Sequence, residues 1–188
     1  PIEDKKNQKK EIRVSRSFSQ PITKLEDLKH ALAIYAIRAS DKMRAQNLQA
    51  SAITIFTRTS HYSKFNYQKS AYKKLIEATN NTNIILKIVI ELSKEIYHSD
   101  YKLAKAGVLM QDLSDDNYLQ KSIINYPSED KSERETKLIQ TIDSLNSKFK
   151  DQVITWGITK RKQSWSMNRK LLSGISITNI DKIPTIIV

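Results

Sequence analysis

Between Thr57 and Lys74 the sequence sets Arg58, Lys64, Lys69, Lys73 and Lys74 among Thr57, Thr59, Ser60, Ser63 and Ser70, and no carboxylate appears before Glu77. Cations attract phosphate oxygens and hydroxyls donate to them, whereas a carboxylate would repel them. The mixture therefore suits a surface lying along a sugar-phosphate backbone. The run from Ala52 to Thr57 just before it is rich in β-branched and aromatic residues, so the stretch from 52 to 76 reads as two strands joined by a polar turn. A solvated hairpin would use many of the same residues, and the rest of the chain has to separate the two readings.

Composition favours a polyanionic partner. The 188 residues carry 32 Lys and Arg against 20 Asp and Glu, a formal charge of +12. Residues 1 to 112 hold 20 of the basic and 11 of the acidic side chains, so the excess is concentrated there. Nucleic acid is the first candidate for such a surface. There is no apolar run near the length of a membrane span and no export signal, so no membrane partner is expected and a cytoplasmic location is.

Other chemistries find little support. With no cysteine, the chain has no disulfide, thiolate nucleophile or Cys-ligated zinc. His30, His61 and His98 stand far apart, without a second ligand at metal spacing. No Gly-rich phosphate loop and no Ser-His-acid grouping appears among the residues, so no catalytic residue and no metal site is assigned.

The elements that must position the cations follow in order. Residues 1–10 read as a linker and, because the chain opens on Pro1, as a piece of something longer. In EIRVSRSFSQP, Ile12, Val14 and Phe18 share one parity and Arg13, Ser15 and Ser17 the other, a half-buried first strand. Thr23 with Glu26 forms a capping box for a helix over 24–46, and Asn81 or Thr82 caps a second helix with Ile84, Ile85, Ile88, Val89, Leu92 and Ile96 on one stripe. Residues 106–113 make the last strand.

Strand, helix, strand, strand, helix, strand is the split βαβ order of an α+β fold, with both helices on one face of a four-stranded sheet. The other face is where Arg13, Ser15, Ser17, Arg58, Thr59, Lys69 and Lys73 are expected to gather. The division expected is a DNA-binding domain over 11–113, a linker over 114–130 and a small C-terminal unit over 131–188. That last unit contains a helix capped by Ser132 and Glu135, a short strand at 152–156, and a basic tail around Trp165. An exposed indole beside Lys160, Arg161 and Lys162 could stack on a base or dock in a protein groove, or pack back on its own helix.

Ser15-Arg16-Ser17-Phe18, Phe56-Thr57-Arg58-Thr59-Ser60 and the run Lys105 to Leu113 resemble the little-finger domain of Y-family DNA polymerases, and more narrowly the UmuC-type subunit of bacterial DNA polymerase V. Trp165, Met167, Arg169, Leu172 and Ser173, followed by Thr178 to Pro184, resemble the small domain that closes UmuC-type proteins. Ser19 departs from the pattern, which commonly has Gly there.

The resemblance implies a little finger that grips both backbones of primer-template DNA in a translesion polymerase of the SOS response to DNA damage. The three carboxylates that hold Mg would lie in a palm domain outside this chain. The chain should then need no cofactor and should bind DNA without polymerising it. Expected phosphate contacts are Arg13, Arg16, Ser17, Arg58, Thr59, Ser60, Lys69, Ser70 and Lys73.

A degenerate sliding-clamp motif is expected at Gln120, Ile123 and Ile124, and contacts to a RecA filament or a UmuD-like dimer at Trp165, Met167 and Arg169. Two rival readings remain open. One is a protein-interaction fragment that recruits the clamp, RecA or a UmuD-like partner. The other is an RRM-like RNA-binding module, which would need aromatics displayed on its third strand.

Overall fold

The computed structural model describes residues 10–115, 129–149, 153–159 and 165–166. Its elements run β1 (Glu11–Ile22), α1 (Leu25–Arg44), β2 (Leu48–Thr59), β3 (Gln68–Thr79), α2 (Thr82–Ile96), β4 (Leu103–Asp115) and α3 (Glu129–Lys148). The strands form one antiparallel sheet in the order β1-β4-β2-β3. The α+β class and the split βαβ order are those expected.

Alternation decides which side of the sheet is buried. Ile12 and Val14 of β1, Ile53, Ile55 and Thr57 of β2, Ala71 of β3, and Ala106, Val108 and Met110 of β4 share one parity and are buried. The apolar ones form a single core with Leu28, Leu32, Tyr35 and Met43 of α1 and Ile85, Val89, Leu92 and Ile96 of α2. A strand projects successive side chains to opposite faces, so covering one parity with two amphipathic helices leaves the other to solvent.

Burial pushes the Tyr35 phenol up to about 12, against the opposing pull of the nearby Arg38 and Arg16. Tyr35 should therefore ionise well above the ordinary tyrosine range in an absorbance titration. Its folded pKa lies above its unfolded one, so the stability it contributes is complete below about pH 10 and is lost as pH rises towards 12.

Several local expectations need correction. Thr23 does not cap α1: Lys24 occupies that position without a side-chain hydrogen bond, and Glu26 pairs with Lys29 at 2.7 Å. Asn81 does cap α2, its carbonyl oxygen accepting from the Asn83 amide at 2.9 Å. Ser132 lies inside α3 and does not cap it, because that helix already begins at Glu129. β4 continues to Asp115, so regular structure takes in both ends of the stretch expected as linker. No strand forms over 153–156. The Asn146 side chain instead brackets Ile154, donating to its carbonyl and accepting from its amide, both at 3.0 Å.

The α3 helix is tied to the first unit through Arg44, whose side chain is only 12% exposed. All five guanidinium donors are used. Nε and NH2 form a fork on Asp143 at 2.6 and 2.9 Å, NH2 also reaches Asp41 at 2.7 Å, and NH1 donates to the Asn80 carbonyl at 3.0 Å and to Thr82 Oγ1 at 2.8 Å. Asn81 adds a bond to Glu135 at 3.0 Å.

Burial raises the Asp41 carboxyl above the usual range despite Arg44 beside it, so a charge left alone there is costly. Arg44→Ala should lower stability by about 2–4 kcal/mol, since Asp41 and Asp143 would then face each other unpaired. Amide exchange should accelerate along α3. Arg44→Lys should not restore it, because an ammonium cannot reproduce the planar fork.

Candidate nucleic-acid interface

The strand register lays out the open face as four rows, read β1, β4, β2, β3. The first is Ser17, Lys105, Arg58, Gln68. The second is Ser15, Gly107, Phe56, Ser70. Then come Arg13, Leu109, Thr54, Tyr72, and last Glu11, Gln111, Ala52, Lys74. All but Gly107 and Ala52 keep some exposure, and Glu11 at the far end is the one carboxylate among these positions.

Lys105 and Arg58 stand directly opposite each other on the two central strands. Like charges in that position destabilise a sheet by a few tenths of a kcal/mol or more, so folding alone gives no reason to place them there. A bound phosphate chain would supply the missing anions.

Beside that row the face is shaped by a glycine. A Cβ at Gly107 would come within 2.5 Å of both the Phe56 ring and Ser15 Cβ, so its absence lets the Phe56 ring lie down across β4. The Arg13 guanidinium covers the same ring, 4.9 Å from its centroid. Phe56 is thus flanked by Gly107 and Arg13, which argues against an RRM-like use of this ring to stack a base. It instead holds Arg13 in place by a cation–π contact. Thr54 donates to the Gln111 side-chain oxygen in the neighbouring rows.

Of the nine residues expected to contact phosphate, Arg13, Ser17, Arg58 and Ser70 share this face, and Ser60 sits in the turn at the Arg58 end. Four do not, which corrects the expectation for Thr59, Lys69 and Lys73 and places Arg16 with them. Arg16 is opposite Ala106, Lys69 opposite Thr57 and Lys73 opposite Ile53, all on the helix-side parity of edge strands.

Lys73 is drawn across to α2, where it pairs with Glu91 at 2.7 Å and, by hydrogen bonding and charge, lowers that carboxyl below its ordinary range. Thr59 is buried, and its hydroxyl serves the turn: it accepts the Tyr67 amide at 3.0 Å and lies 3.3 Å from the Phe65 carbonyl.

Lys105 is the residue that sequence reasoning left out of the site. Its signal was available: Ala106, Val108 and Met110 fix the buried parity, and Lys105 has the other. The run around it reads as apolar, however, and only the register puts it beside Arg58.

In the tail, Trp165 is 7% exposed and meets Phe18 edge-on, ring centroids 5.6 Å apart. Of the readings open for this indole, packing within the chain is the one that holds, with Phe18 of β1 as its ring partner. Ser19 anchors it, its amide donating to the Trp165 carbonyl at 3.1 Å and its hydroxyl to that of Ser166 at 2.9 Å. They meet where Ser17 opposes Lys105 but Ile22 opposes Leu103, so that residues 18–21 bulge opposite Ala104 alone. Gln120, Ile123, Ile124, Met167 and Arg169 lie outside the described residues. Among the described residues, no group of three His, Asp or Glu side chains converges to hold a metal.

A bare antiparallel sheet with a basic centre, backed by two helices, defines an α+β class of domain with one open face, and comparison with known proteins gives its family. The chain belongs to the impB/mucB/samB family, whose C-terminal domain matches residues 9–123. The resemblance read from the first, second and fourth strands is correct at that level.

A second match, to a domain of unknown function (DUF4113), covers residues 136–186. Protein MucB of Salmonella typhimurium is 30% identical over 185 residues, covering 97% of this chain and 43% of MucB. MucB of Escherichia coli is 31% identical with the same coverage, and UmuC of Salmonella typhimurium (strain LT2) is 28% identical over 169 residues, 88% of this chain and 39% of UmuC. The chain thus spans less than half the length of these relatives.

Among solved structures, the insertion ternary complex of Dbh DNA polymerase aligns with a TM-score of 0.44 at 12% identity, over 56% of this chain and 29% of that one.

Proposed function

We propose that this chain supplies the DNA grip of a UmuC-type translesion polymerase acting in the SOS response, holding primer-template DNA by its backbones without reading sequence. The observation that carries the reading is the Arg58–Lys105 pair at the centre of an exposed sheet, with Ser17, Ser15, Ser70 and Arg13 around it. Guanidinium, ammonium and hydroxyl groups bind phosphate oxygens whatever the bases are, and a polymerase crossing damaged template needs such indifference. Family membership supports the reading, and by the resemblance the Mg-dependent chemistry belongs to a palm domain, so these residues position DNA and take no part in bond making.

Binding of primer-template DNA, followed by fluorescence anisotropy at increasing salt, tests this. If about four to six phosphates are neutralised, the slope of log affinity against log salt should be roughly −4 to −5, with little change between template sequences. Salt-insensitive binding, or a strong sequence preference, would overturn it.

A further inference from the structure

The turn between β2 and β3 presents two rings to solvent that neither the core nor the sheet face uses. Tyr62 is 99% exposed and Phe65 is 65% exposed. A solvated hairpin turn is ordinarily made of Gly, Asn, Asp and Ser, so bare aromatics at its tip call for a partner.

The turn is also firmly built. The Thr59 amide donates to the Tyr67 carbonyl at 2.9 Å, the Ser63 amide to the Ser60 carbonyl at 3.1 Å, and the Tyr62 amide to Ser60 Oγ at 3.3 Å. Tyr67, at its base, folds back instead of outwards. Its ring stacks on Tyr101 at 4.4 Å and 13°, and its hydroxyl donates to the Ile96 carbonyl at 2.9 Å. One ring thus anchors the turn while two are displayed.

The surroundings select the partner. Lys64 lies 5.8 Å from the Phe65 ring centroid, and His61 Nε2 is 3.4 Å from the Arg58 guanidinium. Arg58 and Gln68 close the last paired row before the turn, so the rings project from the same end of the sheet as the Arg58–Lys105 pair. There is no carboxylate from Arg58 to Lys74.

We propose that Tyr62 and Phe65 stack on unpaired bases of single-stranded DNA, extending the backbone grip beyond the duplex. Aromatic rings among cations are the means by which proteins hold single strands without sequence preference, since every base has a π-face and every nucleotide a phosphate. The proposal rests on the DNA-binding reading above for its partner, but on different residues.

The test compares the full chain with a Tyr62→Ala, Phe65→Ala variant on a blunt duplex, on the same duplex with a 5′ single-stranded extension, on oligothymidine and on anionic phospholipid vesicles. Both rings are exposed, so the variant should fold as the parent does. It should bind the extended duplex and oligothymidine roughly tenfold or more less tightly. Blunt-duplex binding should stay within about twofold.

Equal loss on blunt and extended duplexes would overturn the proposal, as would no loss on any DNA, or rings needed for vesicles and not for single strands. If the parent chain fails on blunt duplex yet binds oligothymidine through these two rings, the backbone reading falls and the stacking proposal stands.

Discussion

Arg58→Glu combined with Lys105→Glu should weaken binding of primer-template DNA by about a hundredfold near 0.1 M salt and make the salt slope shallower by about two. Each cation releases close to one counterion when it meets a phosphate, and the two stand directly opposite each other on the central strands. Lys69→Glu combined with Lys73→Glu changes charge by the same amount on the helix-side parity of an edge strand, and should cost far less.

That comparison separates a local contact from the general field of a basic protein. An equal loss from both pairs would make net charge, and not this face, the cause. The single change Lys105→Glu carries a further sign. It turns a like-charge pair into an opposite-charge pair, so urea denaturation should show stability unchanged or raised by a few tenths of a kcal/mol while DNA affinity falls.

The second large effect is expected at Gly107. A methyl group there meets the Phe56 ring and Ser15 Cβ at 2.5 Å, closer than carbon atoms approach. The ring can rotate away, but Ser15 Cβ is fixed to the backbone of the neighbouring strand, so β1 and β4 must also part. Gly107→Ala should therefore cost about 1–3 kcal/mol, measured as a shift in the denaturation midpoint.

Gly107→Ala with Phe56→Ala should recover only part of the loss, since the Ser15 contact remains. The same change should weaken DNA binding modestly, because Arg13 loses the ring that holds it. A Gly107→Ala protein as stable as the parent would show that Phe56 does not need the space.

Much of the fold was legible because its signals are local. Ile12 and Val14, Ile53 and Ile55, and Ala106, Val108 and Met110 alternate within single strands, and the Ile85 to Ile96 stripe repeats at helical spacing, so element types followed from a few adjacent residues. Boundaries and caps were less secure. Thr23 and Glu26 have the spacing of a capping box, yet Glu26 pairs with Lys29, and the Thr23 carbonyl accepts from the Tyr97 hydroxyl at 2.7 Å. Competing partners of similar strength are invisible in the spacing alone.

For the candidate site the division falls differently. The sequence determined by itself that this is a basic, cysteine-free chain whose first, second and fourth strands have an apolar parity, and its motifs were enough for the family. The tertiary structure alone decided which polar residues share a face. Placing β4 between β1 and β2 sets Lys105 beside Arg58, the register sends Lys69, Lys73 and Arg16 to the helix side, and Arg44 meets Asp143, 99 residues away. The reason is physical: side-chain parity is a property of a few consecutive dihedral angles, whereas strand neighbours and long-range ion pairs are fixed only when the whole chain packs.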